Sequence, residues 1–172
     1  MEKTPSEYFT AYRSLNLTRD AHGVLVAEFH TKGGPFTFSA PDHTEFVEAF
    51  YRISQDRDNK IVILTGAGGE FIPRIDFASF GNVADPGVWS QTHDEGVQIL
   101  ENLANIRVPV IAAVEGHANV HSEYALLANV VVAVKALPSM ICRTLAAALC
   151  RAMESSLHGV IGLERGGLRR FC

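Results

Sequence analysis

Apolar residues recur along the first 133 positions in two rhythms, and each rhythm predicts a kind of element. Leu15–Arg19 and Val24–His30 read as two strands joined by a turn at Asp20–Gly23. In the second strand Leu25, Ala27 and Phe29 fall on one face, and Val24, Val26, Glu28 and His30 on the other. Gly33-Gly34-Pro35 breaks the chain, and Phe36–Ser39 predicts a short extended piece. Helical spacing follows over His43–Ser54, with Asp42 as N-cap and Phe46, Val47, Phe50 and Ile53 along one face. Lys60–Thr65 and Val108–Val114 are continuously apolar, the pattern of parallel strands covered on both faces. Between them, Ser90–Ala104 predicts a helix burying Val97, Leu100, Leu103 and Ala104. A short helix over Ser122–Ala128 and a strand from Val130 to Ala133 follow. Repetition of strand, helix and strand argues for an α/β fold with a largely parallel sheet.

The pattern stops at Ala133. Residues 1–133 carry 17 acidic against 9 basic side chains, whereas residues 134–172 carry 2 against 6. All three cysteines (Cys142, Cys150 and Cys172) lie in that second part, with one of fifteen aromatic residues, Phe171. The expected organisation is one α/β domain over residues 1–133 and an atypical tail over residues 134–172, with high helix propensity across Thr144–Ser156. The net charge of −4 and the lack of a basic stripe before Ala133 give nucleic acid no footprint as a partner. No apolar run is long enough for a transmembrane helix. Met1–Asp20 is polar and mixed in charge, unlike a secretory signal, so a cytoplasmic location is expected. The cysteine spacings of 8 and 22 fit neither a disulfide framework nor a zinc site, and no metal is expected.

Gly66-Ala67-Gly68-Gly69 follows a buried strand, as a dinucleotide-binding loop would. Its spacing is not G-x-G-x-x-G, and Phe71-Ile72-Pro73 stands where a helix should open, so it reads as a turn. Three separated blocks are more specific: Val62-Ile63-Leu64-Thr65-Gly66, then Phe71 with Asp76-Phe77, then Val108 to Gly116 (V-P-V-I-A-A-V-E-G). Over Leu15–Ala133 the chain resembles the crotonase (enoyl-CoA hydratase/isomerase) superfamily, which has V-I-L-T-G, F-x-x-G-x-D and P-V-I-A-A-V-x-G in this order. The resemblance implies a right-handed spiral of ββα turns, here incomplete, that assembles as homotrimers or hexamers. It also implies an oxyanion hole of two backbone N–H groups, which act by facing the charge that develops in the transition state. Ile75 matches the first donor. Arg74 stands in a place commonly held by glycine, where it would crowd the pocket or contact an anionic substrate, and Asp76 matches the family's Asp.

Acyl-CoA members supply the second donor from a glycine-rich loop, but here Gly116 is followed by His117-Ala118-Asn119-Val120-His121-Ser122-Glu123. Arg57–Gly66, Ile75–Phe80 and the H-x-E of His121–Glu123 resemble the branch of 6-oxocamphor hydrolase and the β-diketone hydrolases. That branch uses no coenzyme A or other cofactor and hydrolyses a C–C bond of a cyclic 1,3-diketone. The resemblance then implies a small carbonyl substrate, with His121 and His43 as pocket histidines, Phe38 in place of a Trp, and Glu123 matching a hydratase glutamate. Imidazole suits the work because both of its protonation states are accessible near neutral pH. Taken alone, His43 reads as a surface residue at a helix start, His121 equally as a loop histidine, and Glu123 as a surface acid. His93 and His117 read as solvated.

The branch's water-activating His–Asp pair belongs to a segment resembling A-T-F-x-D-x-P-H-F-x-x-G-I-V-P-G-D-G, which should follow Ala133 and does not. Back-translations of Val134–Glu154 exist that, read from the third base of the first codon, give E-S-A-T-F-H-D-M-P-H-F-G-G-G-I-V-P-G-D-G. Met140-Ile141 forces the Asp after F-H in that frame and Met153-Glu154 forces its last Gly, whatever the codons. A single missing nucleotide at the Ala133/Val134 junction accounts for this, and the expected consequence is a truncated chain with little activity. Two other readings stay open at this point: an acyl-CoA hydratase or isomerase, and a non-catalytic interaction protein docking through its tail.

Overall fold

The computed structural model describes residues 7–134. The helix expected over Thr144–Ser156, the three cysteines and nearly all of the tail lie outside the described residues. In chain order the elements are β1 (Leu15–Arg19), β2 (Val24–Phe29), β3 (Thr37–Phe38), α1 (Ala40–Gln55), β4 (Ile61–Gly66), β5 (Arg74–Ile75), α2 (Pro86–Ala104), β6 (Val110–Val114), α3 (Glu123–Leu126) and β7 (Val130–Ala133).

Five strands form one sheet in the order β1-β2-β4-β6-β7, and β3 pairs with β5 in a second, two-stranded one. β1 and β2 are an antiparallel hairpin with Leu15 opposite Phe29, and every later pairing is parallel. Parallel neighbours need crossover connections, and α1 and α2 supply them. One face of the sheet meets the helices. Leu25, Ala27, Phe29, Val62, Leu64, Val110, Ala112 and Val114 point into that core, against Phe46, Ala49, Phe50 and Ile53 of α1 and Ile99 and Leu103 of α2. The alternation read in β2 is present, Leu25, Ala27 and Phe29 being fully buried.

Several expectations need correcting. β4 and β6 are not buried on both faces: Ile61, Ile63, Ile111 and Ala113 are only half-buried, because the described helices cover one side. The N-cap of α1 is Ser39, not Asp42. Asp42 sits one turn in, where its carboxylate accepts the Ser39 N–H (2.7 Å), the Ser39 hydroxyl (2.6 Å) and the Ser14 hydroxyl (2.5 Å). α2 starts ahead of Ser90, since Asp85 caps Gly87 and Val88 while Pro86 opens the first turn. Its buried stripe is Ile99 and Leu103; Val97 and Ala104 are exposed. All four residues of β7 are exposed, at the end of the described sheet. Among the described residues, no helix is long and apolar enough to cross a membrane.

Candidate active site

β4 and β6 run parallel and end side by side, and the loops that leave them carry the chemistry. Clefts beyond the carboxyl ends of parallel strands are where α/β sheets bind ligands. Gly66 lets the chain turn sharply after β4, since a Cβ there would overlap the backbone carbonyl of Glu70. Gly68 and Gly69 continue the turn with φ of 71° and 72°, the left-handed region that glycine tolerates. The stretch reads as the turn expected, with no helix opening after it.

After β6, the loop from Gly116 to Ser122 is tied to the β4 loop by backbone bonds. Phe71 and Ile72 N–H both donate to His117 O (3.1 Å each), and Val120 N–H donates to Ile72 O (3.1 Å). His117 is not merely solvated. Its N–H donates to Glu70 at 2.5 Å, and its Nδ1 lies 2.9 Å from the same carboxylate. Burial pushes the Glu70 carboxyl up, but these bonds and the His117 charge outweigh it and hold the pKa below the usual range. His93 is exposed beside Asp94, as expected.

This staple delivers His121 to the core edge with φ of 47°, a strained backbone for a non-glycine residue. Its imidazole lies 4.2 Å from the Phe38 ring and 5.1 Å from Tyr124, on which it stacks, and 5.9 Å from the His43 ring, centroid to centroid. His121 Nδ1 lies 2.6 Å from Glu123 Oε1. Burial pushes the Glu123 carboxyl up, yet the bond to His121 and its charge bring the pKa below the ordinary value. The pair is therefore an N–H donating to a carboxylate. His43 is buried rather than on the surface, with 5% of its area exposed, packed edge-on against Phe38 (5.2 Å) and Phe80 (5.6 Å). Burial, reinforced by the charge of His121, pushes its pKa below the usual imidazole value, with Glu95, Asp42 and Glu123 opposing.

The structure thus brings His121, His43, Phe38 and Glu123 together. Ile75 joins them through β5, paired with Phe38 of β3. Asp76 N–H donates to Phe38 O (2.8 Å), so strand alternation turns the Ile75 N–H the other way, off that pairing. Arg74 does not join the histidines: it is exposed, with its guanidinium against Thr37 Oγ1 (3.3 Å) and Pro35 O (3.4 Å). Asp76 is exposed too, its carboxylate accepting Ala78 N–H in the turn that follows. Phe80, Tyr124 and Glu95 were not read from the sequence as site residues. Phe80 closes the Ile75–Phe80 block and Tyr124 follows Glu123 in a short helical stretch, but neither position marked a site residue by itself. A cavity of about 350 Å³ at the opposite ends of β4 and β6, beside Asn59, Lys60 and Arg107, shares no residue with this cluster.

The parallel-rich α/β sheet, with crossover helices on one face, is that of a crotonase-type fold. The model of the enoyl-CoA hydratase/isomerase family matches residues 19–158, and the chain belongs to that family. It is similar to the solved β-diketone hydrolase of the cyanobacterium Anabaena sp. PCC 7120, bound to (S)-3-oxocyclohexyl acetic acid. The two are 45% identical, with a TM-score of 0.76 over 78% of this chain and 54% of that one. An enoyl-CoA hydratase/isomerase of Mycobacterium paratuberculosis shares the fold, at 22% identity and a TM-score of 0.63 over 71% of this chain and 49% of that one. So does an enoyl-CoA hydratase of Mycobacterium smegmatis, at 19% and 0.64 over 72% and 49%. The chain spans about half the length of these structures. No curated protein matches it significantly.

Proposed function

We propose that the cluster is the enolate-binding part of a C–C hydrolase that opens a cyclic β-diketone by retro-Claisen hydrolysis without a cofactor. Water adds to one carbonyl, the bond to the central carbon breaks, and its electron pair moves onto the second carbonyl as an enolate. His121, protonated and held through Nδ1 by Glu123, donates from Nε2 to that oxygen. The Ile75 N–H is the backbone donor of the hole, Phe38 and His43 shape the wall, and Arg74 and Asp76 serve the loop rather than the reaction. The observation that carries this reading is His121 seated on Phe38 beside His43, in a chain 45% identical to a β-diketone hydrolase. An acyl-CoA substrate fits less well, because His121 fills the place where a glycine would let a thioester approach.

Residues 134–172 form, in this reading, a shifted-frame tail that lacks the water-activating pair, so the 172-residue chain turns over little. The frame-restored protein, with one nucleotide returned at the Ala133/Val134 junction, regains hydrolysis and trimeric or hexameric assembly. Resequencing the junction tests the lesion: a clean in-frame read, with no family segment in the neighbouring frame, sinks it. Turnover of a cyclic 1,3-diketone by both chains tests the reaction.

A further inference from the structure

Asn119, in the loop after β6, reaches across to the chain just ahead of β5, where its Nδ2 donates to Pro73 O (3.2 Å). A carbonyl only accepts, so Pro73 O fixes which end of the amide faces it. The other end, Oδ1, is sealed from solvent and has no hydrogen-bond partner among the described residues. A buried polar atom without a partner is costly, and each one in a folded protein calls for a reason. An apolar side chain would avoid that cost, so the reason for an asparagine lies in the Nδ2 bond. Pro73 is also where the pairing between the two loops would stop. Ile72 bridges Ala118 in parallel, and Val120 N–H donates to Ile72 O, but proline has no N–H for a further rung. The Asn119 amide supplies that rung through the Pro73 carbonyl.

The edge on which it does so is the one that carries the chemistry. Asp76 N–H faces β3, so strand alternation puts Pro73 O and the Ile75 N–H together on the opposite edge. In the other loop, His121 stands two residues beyond Asn119, with its ring on Phe38, the β3 partner of Ile75. Among the described residues, Asn119 makes the one hydrogen bond from the loop after β6 to Pro73. We propose that Asn119 is a positioning residue: by tying Pro73 O it holds the Ile75 N–H and His121 as two donors to one enolate oxygen. This rests on the hydrolase reading above and deepens it. Two donors that meet at one atom must be fixed relative to each other, and a displacement of about 1 Å costs about a hundredfold in rate.

Asn119→Asp keeps the shape of the side chain and removes its donor, which makes it the sharpest probe. In the wild-type 172-residue chain, nitrogen–carbon scalar coupling across the hydrogen bond should connect Asn119 Nδ2 with the Pro73 carbonyl carbon. In Asn119→Asp the Ile75 amide and the His121 ring protons should shift together, while the β2 amides stay in place. In the frame-restored protein the same change should lower kcat per folded enzyme about tenfold or more for a cyclic 1,3-diketone, with KM kept within about threefold. Absence of the coupling in the wild-type chain overturns the proposal, whether or not the variant folds. An Ile75 amide or a kcat that Asn119→Asp leaves unchanged overturns it equally. If the coupling and the joint shift are found while the frame-restored wild-type protein hydrolyses no diketone, the tie between the loops stands and the hydrolase reading falls.

Discussion

The imidazole of His121 rests 4.2 Å from the ring of Phe38, joining the loop after β6 to the short strand before α1. Phe38 is fully buried and also touches His43, Phe80 and Phe46. One side chain is therefore both core and pocket floor. Phe38→Ala should cost about 3–5 kcal/mol of stability, as large-to-small core changes do, and release His121 as well. Denaturant unfolding measures the first effect. Loss of the upfield ring-current shift on the His121 ring protons reports the second, and a shift unchanged in a folded variant would detach the two roles.

His121 holds its place against a backbone that disfavours it, at φ of 47°. At this position glycine should be more stable than alanine by about 1–2 kcal/mol, because only alanine clashes in the left-handed region. Comparing the unfolding midpoints of His121→Gly and His121→Ala isolates the strain from the imidazole. Equal midpoints would mean that the loop relaxes out of this conformation.

Glu70 accepts the backbone and ring bonds of His117 and so clamps the loop on which His121 sits. Glu70→Ala should cost about 1–2 kcal/mol and speed amide exchange at His117 and Val120 while leaving β2 protected. Exchange rising uniformly across the domain would instead mark Glu70 as a general stability residue.

Stability should fall on acidification below about pH 6.5, the ordinary histidine value. His43 has a lowered pKa in the fold, so between its folded and unfolded values the unfolded chain binds the proton and the folded one resists it. Glu123, also lowered, adds a loss at lower pH, as its carboxylate is protonated. His43→Gln should flatten the first part of the profile and Glu123→Gln the second. A His43→Gln profile with the wild-type slope just below pH 6.5 would show that His43 is not the group responsible.

The sheet was legible in the chain because its signals are local. Leu15–Arg19 appears at the limits expected, and Val24–His30 needs only its last residue removed. β3 falls inside the extended piece read at Phe36–Ser39, but β5, Arg74–Ile75, was not legible: it is two residues long and takes Thr37–Phe38 as its partner only because the fold brings them together. α2 began early because an Asp85 cap followed by Pro86 is a start signal, and the apolar spacing from Ser90 onward masked it. The site divides in the same way. His121, His43 and Phe38 were readable through family motifs, whereas Glu70–His117 and Glu95–His43 cross between elements and leave no spacing in sequence.

Product formation from a cyclic 1,3-diketone, followed by NMR for the frame-restored protein, its His121→Ala variant and the 172-residue chain, tests the central claim most directly. The account predicts oxo-acid from the restored protein, a loss of about a hundredfold or more without His121, and little or none from the 172-residue chain. Rapid hydrolysis by the 172-residue chain would contradict it. So would a restored protein that hydrates an enoyl-CoA and leaves the diketone intact.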